Sequence, residues 1–264
     1  MSGSVTTGDG RGRLGSALSG LAVAVGCVLF LGGFVWGAVQ YQPYTVPTDS
    51  MSPTVDAGER VLAQRIDGAE VRRGDVVVFK DSTWGDLPMV KRVVGVGGDK
   101  VACCDGAGRL TINGRAVEEP YLRGNGPASS MAFTAAVPEG QLFLLGDERM
   151  GSQDSRVHLQ DPGHGSVPRS AVSARVDAVA WPLGAMVDRP RSFAALPGGV
   201  SRPGPLKLVV GSVAVGAVLI LGGAAYGPVA RALSRARGAG AGGGPRRAGA
   251  GGGARAAGEG RADA

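Results

Sequence analysis

A mainly β domain, barrel-like or built of folded sheets and held by an apolar helix at each end, is the fold class these 264 residues predict. Two uncharged apolar blocks, one near each end, supply the helices. Between them, short apolar runs are broken every few residues by Gly, Asp and Pro, the punctuation of strands and turns. No amphipathic stretch of ten residues interrupts that pattern in the centre.

Residues 1–16 form a short polar Gly/Ser/Arg segment, taken as a cytoplasmic N-terminus. Residues 17–39 (ALSGLAVAVGCVLFLGGFVWGAV) carry no charge. As a helix they would extend roughly 34 Å, enough to cross a bilayer core of about 30 Å. Such a block is either a signal-anchor or a cleaved leader. Its length and the poor small-x-small site at Gly37-Ala38-Val39-Gln40 favour an anchor. Tyr41 and Tyr44 behind it suit an interfacial aromatic belt. Residues 40–190 are expected to be the folded domain and 191–207 a linker. Residues 208–226 read as a second span, and 227–264 as a disordered basic Gly/Ala/Arg tail.

The net charge of +6 is unevenly distributed. Residues 41–190 hold 16 basic and 19 acidic side chains, so nucleic-acid binding by the domain has no electrostatic support. Arg11 and Arg13 precede the first span, and Arg231, Arg235, Arg237, Arg246 and Arg247 follow the second. The positive-inside rule then places both termini in the cytoplasm and the domain outside. Arg189, Arg191, Arg202 and Lys207 weaken this signal, because they flank the second span on its outer side.

Strands are expected at Arg60–Arg65, Asp75–Lys80, Met89–Val96, Lys100–Cys104, Arg109–Ile112, Leu142–Leu145 and Ala174–Trp181. Asn113-Gly114 marks a two-residue hairpin. Gly124–Met131 (GNGPASSM) reads as a mobile loop. Of three cysteines, Cys27 lies in the first span, while Cys103 and Cys104 are adjacent. With no CxxC pair, a structural metal is not expected. The adjacent pair is either a disulfide or two thiols on opposite faces of a strand, with thiols slightly favoured.

Three polar phrases carry chemistry. TDSMSPT at Thr48–Thr54 holds Ser50 in a tight turn close to the first span. The turn could present the hydroxyl outward beside backbone N–H donors, or be an ordinary Ser/Thr-rich surface turn. MVKRVVGVGGD at Met89–Asp99 places Met89, Lys91 and Val93 on one strand face. Held among apolar neighbours, the Lys91 amine would lose hydration and become a neutral base; at a strand edge it would instead reach solvent. GDERMGSQDSR at Gly146–Arg156 offers Asp147, Arg149, Asp154 and Arg156 as bracing ion pairs, and Ser152 to orient the amine; otherwise it is a polar turn. His158 and His164 sit in a polar loop with no orienting carboxylate in view, and read as solvated.

Together these phrases resemble the bacterial type I signal peptidases, over about Thr45 to Trp181. The resemblance rests on VPTDSMSPT with AGERVLAQR, GDVVVF, MVKRVVGVGGD, NGRAVEEPYL, and GDERMGSQDSR followed by GSVPRSAV. It implies Ser50 as nucleophile and Lys91 as general base. It implies Thr48 with the Ser50 N–H as oxyanion hole, Ser152 as lysine-orienting residue and Asp154–Arg156 as a supporting pair. It further implies a β catalytic domain, exported pre-proteins as substrates, a lipid bilayer as surroundings, and neither cofactor nor metal. Association with the protein translocation machinery is open. Asp49, Gly98 and Glu148 stand where Gly, Pro and Asn are common in that family. The rival reading is a non-catalytic tethered β-domain that binds exported peptides.

Overall fold

The computed structural model describes residues 10–124, 126–182 and 184–241. Two long helices end the chain: α1 over Gly10–Gln40 and α3 over Leu206–Ala241. Within them, Gly15–Gln40 and Leu206–Val229 are long and apolar enough to cross a membrane. Helix α1 begins at Gly10, ahead of the apolar block read as the first span. Helix α3 continues fifteen residues beyond Tyr226, so 227–241 is helical rather than disordered. Ala, Leu and Arg in ALSRAR propagate a helix already nucleated upstream. Residues 242–264 of the expected tail lie outside the described residues.

The chain divides into two compact units. One joins the first part of α1, up to Gly26, to the last part of α3, from Ala217. There the Ser19 hydroxyl donates to the Gly223 carbonyl at 2.7 Å, and a Cβ on Gly223 would collide with Val23. The glycine permits that close approach of backbones, as between helices in lipid.

The other unit, Cys27–Gly216, contains all the described strands. These are β1 Tyr41–Thr45, β2 Arg60–Arg65, β3 Val76–Phe79, β4 Met89–Val96, β5 Lys100–Cys103, β6 Leu110–Ile112, β7 Arg115–Ala116, β8 Phe133–Ala136, β9 Gln141–Leu145, β10 Ser166–Pro168 and β11 Val172–Trp181. They form a seven-stranded sheet, β1-β2-β11-β3-β4-β9-β10, and a four-stranded sheet, β7-β6-β5-β8. Every pairing is antiparallel. The hairpin at Asn113-Gly114 has φ of 52° and 76°, the left-handed pair that a tight two-residue turn requires. The mainly β fold with an apolar helix at each end is as the sequence predicts.

Several local expectations fail. Tyr41 is not displayed as part of an aromatic belt; it is buried in β1 and its hydroxyl donates to Asp177 at 3.0 Å. Gly124–Met131 is tied down, with Ala128 and Ser129 buried and Ala128 N–H bonded to Gly108 O at 2.8 Å; Asn125 lies outside the described residues. The linker contains a helical turn, α2 Arg191–Ala194, whose Phe193 is fully buried against Leu196. Cys103 and Cys104 are joined as a disulfide rather than held as two thiols.

Candidate active site

Ser50 lies in the loop between β1 and β2. Val46, Met51 and Val55 from that loop are buried in one cluster with Val61, Val78 and Val176, which anchors it to the sheet. Backbone bonds from Ser52 N–H to Asp49 O (2.9 Å) and Val55 N–H to Met51 O (3.0 Å) close the turn. Ser50 is thereby left half-buried above a packed base. Its N–H donates to no protein acceptor among the described residues, and its carbonyl accepts from Glu148 N–H at 3.1 Å. The Asp49 carboxylate is turned away to accept from Ala57 N–H at 2.9 Å, so its charge serves the turn.

Lys91 comes from β4, an interior strand of the larger sheet. Val77 stands opposite it on β3 and packs in the same cluster as Met89 and Val93. The side chain is buried, and its Nζ lies 2.7 Å from Ser50 Oγ. Burial lowers the Lys91 pKa to about 8, against the opposing pull of Asp154 and Asp147. Thr48 Oγ1 donates to Ser50 Oγ at 3.3 Å. A buried amine poised to release its proton, a hydroxyl within bonding distance and an unclaimed N–H are the components of nucleophilic acyl transfer.

The Gly146–Arg156 loop packs behind this pair. Arg156 grips Asp154 with two bonds, at 2.8 and 2.7 Å, and Asp154 Oδ2 accepts from Gly146 N–H at 3.0 Å. Asp147 does not pair with Arg149. It takes two bonds from Arg92, at 2.8 and 2.6 Å, and one from Thr54 at 2.5 Å. Arg149 instead holds Glu119 at 2.8 and 2.6 Å and the carbonyls of Gly146 and Ala128. Sequence reasoning does not single out Arg92, Glu119 or Thr54 as site residues. Arg92 follows Lys91 and points to the opposite face of the strand, which is the available signal. Ser152 is buried, but its hydroxyl makes no hydrogen bond to Lys91 or to any other group among the described residues.

His158 has an orienting carboxylate after all: Nδ1 lies 2.6 Å from Asp161 Oδ2, and the ring stacks on Trp84 at 4.4 Å. The sequence reading misses this pair, three residues apart. The partner of Ser50 is Lys91. His164 is exposed and reaches only the Leu159 carbonyl among the described residues, at 3.4 Å.

A cleft of about 440 Å³ runs past Ser50 and Lys91, lined by Tyr44–Asp49, Trp84 and Leu87–Val90. Residues Met89–Lys91 pair with β3 on one side only, because β9 joins β4 from Arg92 onward. An open strand edge therefore borders the cleft. Gly146 is required at its base, since a Cβ there would overlap the Ser152 side chain and the Ser50 carbonyl oxygen. Gly146→Ala is expected to displace Ser50 and lower turnover by about 100-fold, the cost of a misplacement of roughly 1 Å. A turnover assay on the purified variant checks this, and near-normal turnover contradicts the packing described.

The family model "Signal peptidase, peptidase S26" matches residues 17–181. A probable signal peptidase I of Mycobacterium leprae is 31% identical over 199 residues, covering 53% of this chain and 68% of the relative. Signal peptidase I of Bacillus caldolyticus is 33% identical over 157 residues, covering 54% of this chain and 81% of the relative. A solved signal peptidase I from Enterococcus faecalis is 28% identical, with a TM-score of 0.33 over 39% of this chain and 94% of that one. With more than half its length matched by the family model, the chain belongs to the S26 signal peptidase family.

Proposed function

We propose that this chain is a membrane-bound serine endopeptidase that removes signal peptides from exported pre-proteins, with Ser50 as nucleophile and Lys91 as general base. The observation that carries this reading is the buried Lys91 amine 2.7 Å from Ser50 Oγ. An extended pre-protein segment adds to the open edge at Met89–Lys91, which supplies main-chain bonds and aligns the scissile carbonyl. Neutral Lys91 takes the Ser50 proton as Oγ attacks that carbonyl. The Ser50 N–H and the Thr48 hydroxyl hold the oxyanion. Lys91 then passes the proton to the leaving amine, and the acyl-enzyme is resolved by water that Lys91 deprotonates. Ser152 is the buried hydroxyl that would orient the amine by turning to accept a hydrogen bond from it, a bond the structure does not contain. Asp147, Arg149, Asp154 and Arg156 keep the surrounding loop in place. Arg11 and Arg13 before the first span, with Arg231, Arg235 and Arg237 after the second, support cytoplasmic termini and an exported β-domain.

The titration of Lys91 gives the test its sign. Only the neutral amine accepts a proton, so kcat/KM for a pre-protein in detergent should climb with pH and level off above about 8. Stability should follow in the same direction. Protonated Lys91 is penalised in the fold below about 8, and the penalty is lifted as pH rises toward its ordinary 10.5. A pH–rate profile without a step near 8 contradicts Lys91 as the base.

A further inference from the structure

The positive-inside rule leaves Arg202 unexplained, on the outer side of the second span. Arg189, its neighbour in sequence, is accounted for by bonds to Asp177 and Ser201, each 2.8 Å. Arg202 instead lines a cavity of about 430 Å³ together with Arg72, Arg175, Gln64 and Glu70. Gly204 and Pro205 complete the wall, directly before Leu206 opens α3. A Cβ on Gly204 would collide with the hydroxyl of Tyr41, the first residue after α1. The cavity therefore lies beside the domain-side ends of both apolar helices.

Two of its three arginines, Arg72 and Arg202, have no ion-pair partner among the described residues. Arg175 is 4% exposed; Nη2 donates to neutral Gln64 Oε1 at 2.7 Å. Its Nε makes no hydrogen bond among the described residues but is ion-paired with the buried Asp177 carboxylate at 3.4 Å. Among the described residues, Arg72 Nη1 donates only to the carbonyls of Ala69 and Val71. Three arginines thus line a cavity in which Glu70, solvent-exposed like Arg202, is the one acidic lining residue among the described residues. Guanidinium groups match the oxygens of a phosphate in both charge and geometry.

We propose that this cavity binds the phosphate of an anionic glycerophospholipid at the membrane surface. The inference rests on the membrane anchoring of the chain and is independent of Ser50 and Lys91. The full-length protein in neutral detergent can be titrated with phosphatidylglycerol or phosphatidylcholine and the retained lipid counted by native mass spectrometry. Phosphatidylglycerol should be retained in preference. The Arg72→Gln/Arg202→Gln variant should weaken that retention by about 30-fold, from roughly 1 kcal/mol per basic residue. It should leave phosphatidylcholine retention and cleavage of a short soluble peptide unchanged. Arg175 is left intact because its burial makes it part of the fold. Equal retention of the two lipids, or equal retention by variant and parent, overturns the proposal. So does displacement of the retained phosphatidylglycerol by millimolar inorganic phosphate, which would make free phosphate the ligand. If the parent protein fails to cleave peptide while the lipid preference holds, the peptidase reading fails and this one stands.

Discussion

Ser50→Ala and Lys91→Ala are each expected to lower pre-protein cleavage by about 10,000-fold or more, with the double variant hardly worse than either single. The two side chains act as one unit, so removing either leaves the other without a role. A serine hydroxyl is a weak nucleophile unless a base takes its proton as it attacks, and Lys91 Nζ is the basic nitrogen bonded to Ser50 Oγ. Lys91→Arg should be as inactive as Lys91→Ala, because a guanidinium keeps its proton throughout the accessible pH range. The assay is single-turnover cleavage of a pre-protein in detergent. Appreciable turnover by Lys91→Arg would show that a positive charge at this position suffices, and the base assignment would fall.

The largest effect on stability is expected from Asp147→Ala. Arg92 and Asp147 are both essentially inaccessible, with side chains 1% and 0% exposed, and they share two hydrogen bonds. Arg92 also donates to the Gly74 carbonyl at 2.9 Å and lies 3.9 Å from the centre of the Tyr121 ring. Without Asp147 that guanidinium stays buried with no counter-charge, a loss of about 3–5 kcal/mol. In a domain of this size the melting temperature should fall by about 10 °C. The double change Arg92→Met/Asp147→Leu should recover much of that loss, since the penalty belongs to the unpaired charge rather than to the absence of the pair. A thermal melt of the parent and the two variants decides it: an Asp147→Ala protein that melts with the parent contradicts the burial described.

Legibility in the sequence follows burial. Arg60–Arg65 and Met89–Val96 are read with their observed limits, and both lie inside the larger sheet, where apolar residues dominate the pattern. The unread strands β1, β8 and β10 are all at sheet edges. Edge strands are paired on one side only and tolerate proline. Pro43 in β1 and Pro168 in β10 therefore erase the strand signal where the fold accommodates them. Ser50 and Lys91 are legible because each lies within a compact phrase. The pairing of Asp147 with Arg92 spans 55 residues, and that of Arg149 with Glu119 spans 30. Such partners are chosen by strand register, which a single sequence does not display. The reading of Asp147 and Arg149 as braces therefore lacks their actual partners. The helical continuation to Ala241 is hidden for another reason: glycine-rich composition masks the Ala, Leu and Arg that carry the helix onward.

The central claim concerns the charge on one nitrogen, and selective ¹⁵N labelling of lysine allows Lys91 Nζ to be followed by NMR as pH is raised in the full-length protein. This resonance should titrate near 8, well below the ordinary 10.5, and Asp154→Asn should lower its midpoint further by removing the first of the charges that oppose the shift. A Lys91 resonance that titrates at the ordinary lysine value, close to 10.5, would mean a fully protonated amine beside Ser50 at neutral pH and would contradict its role as base.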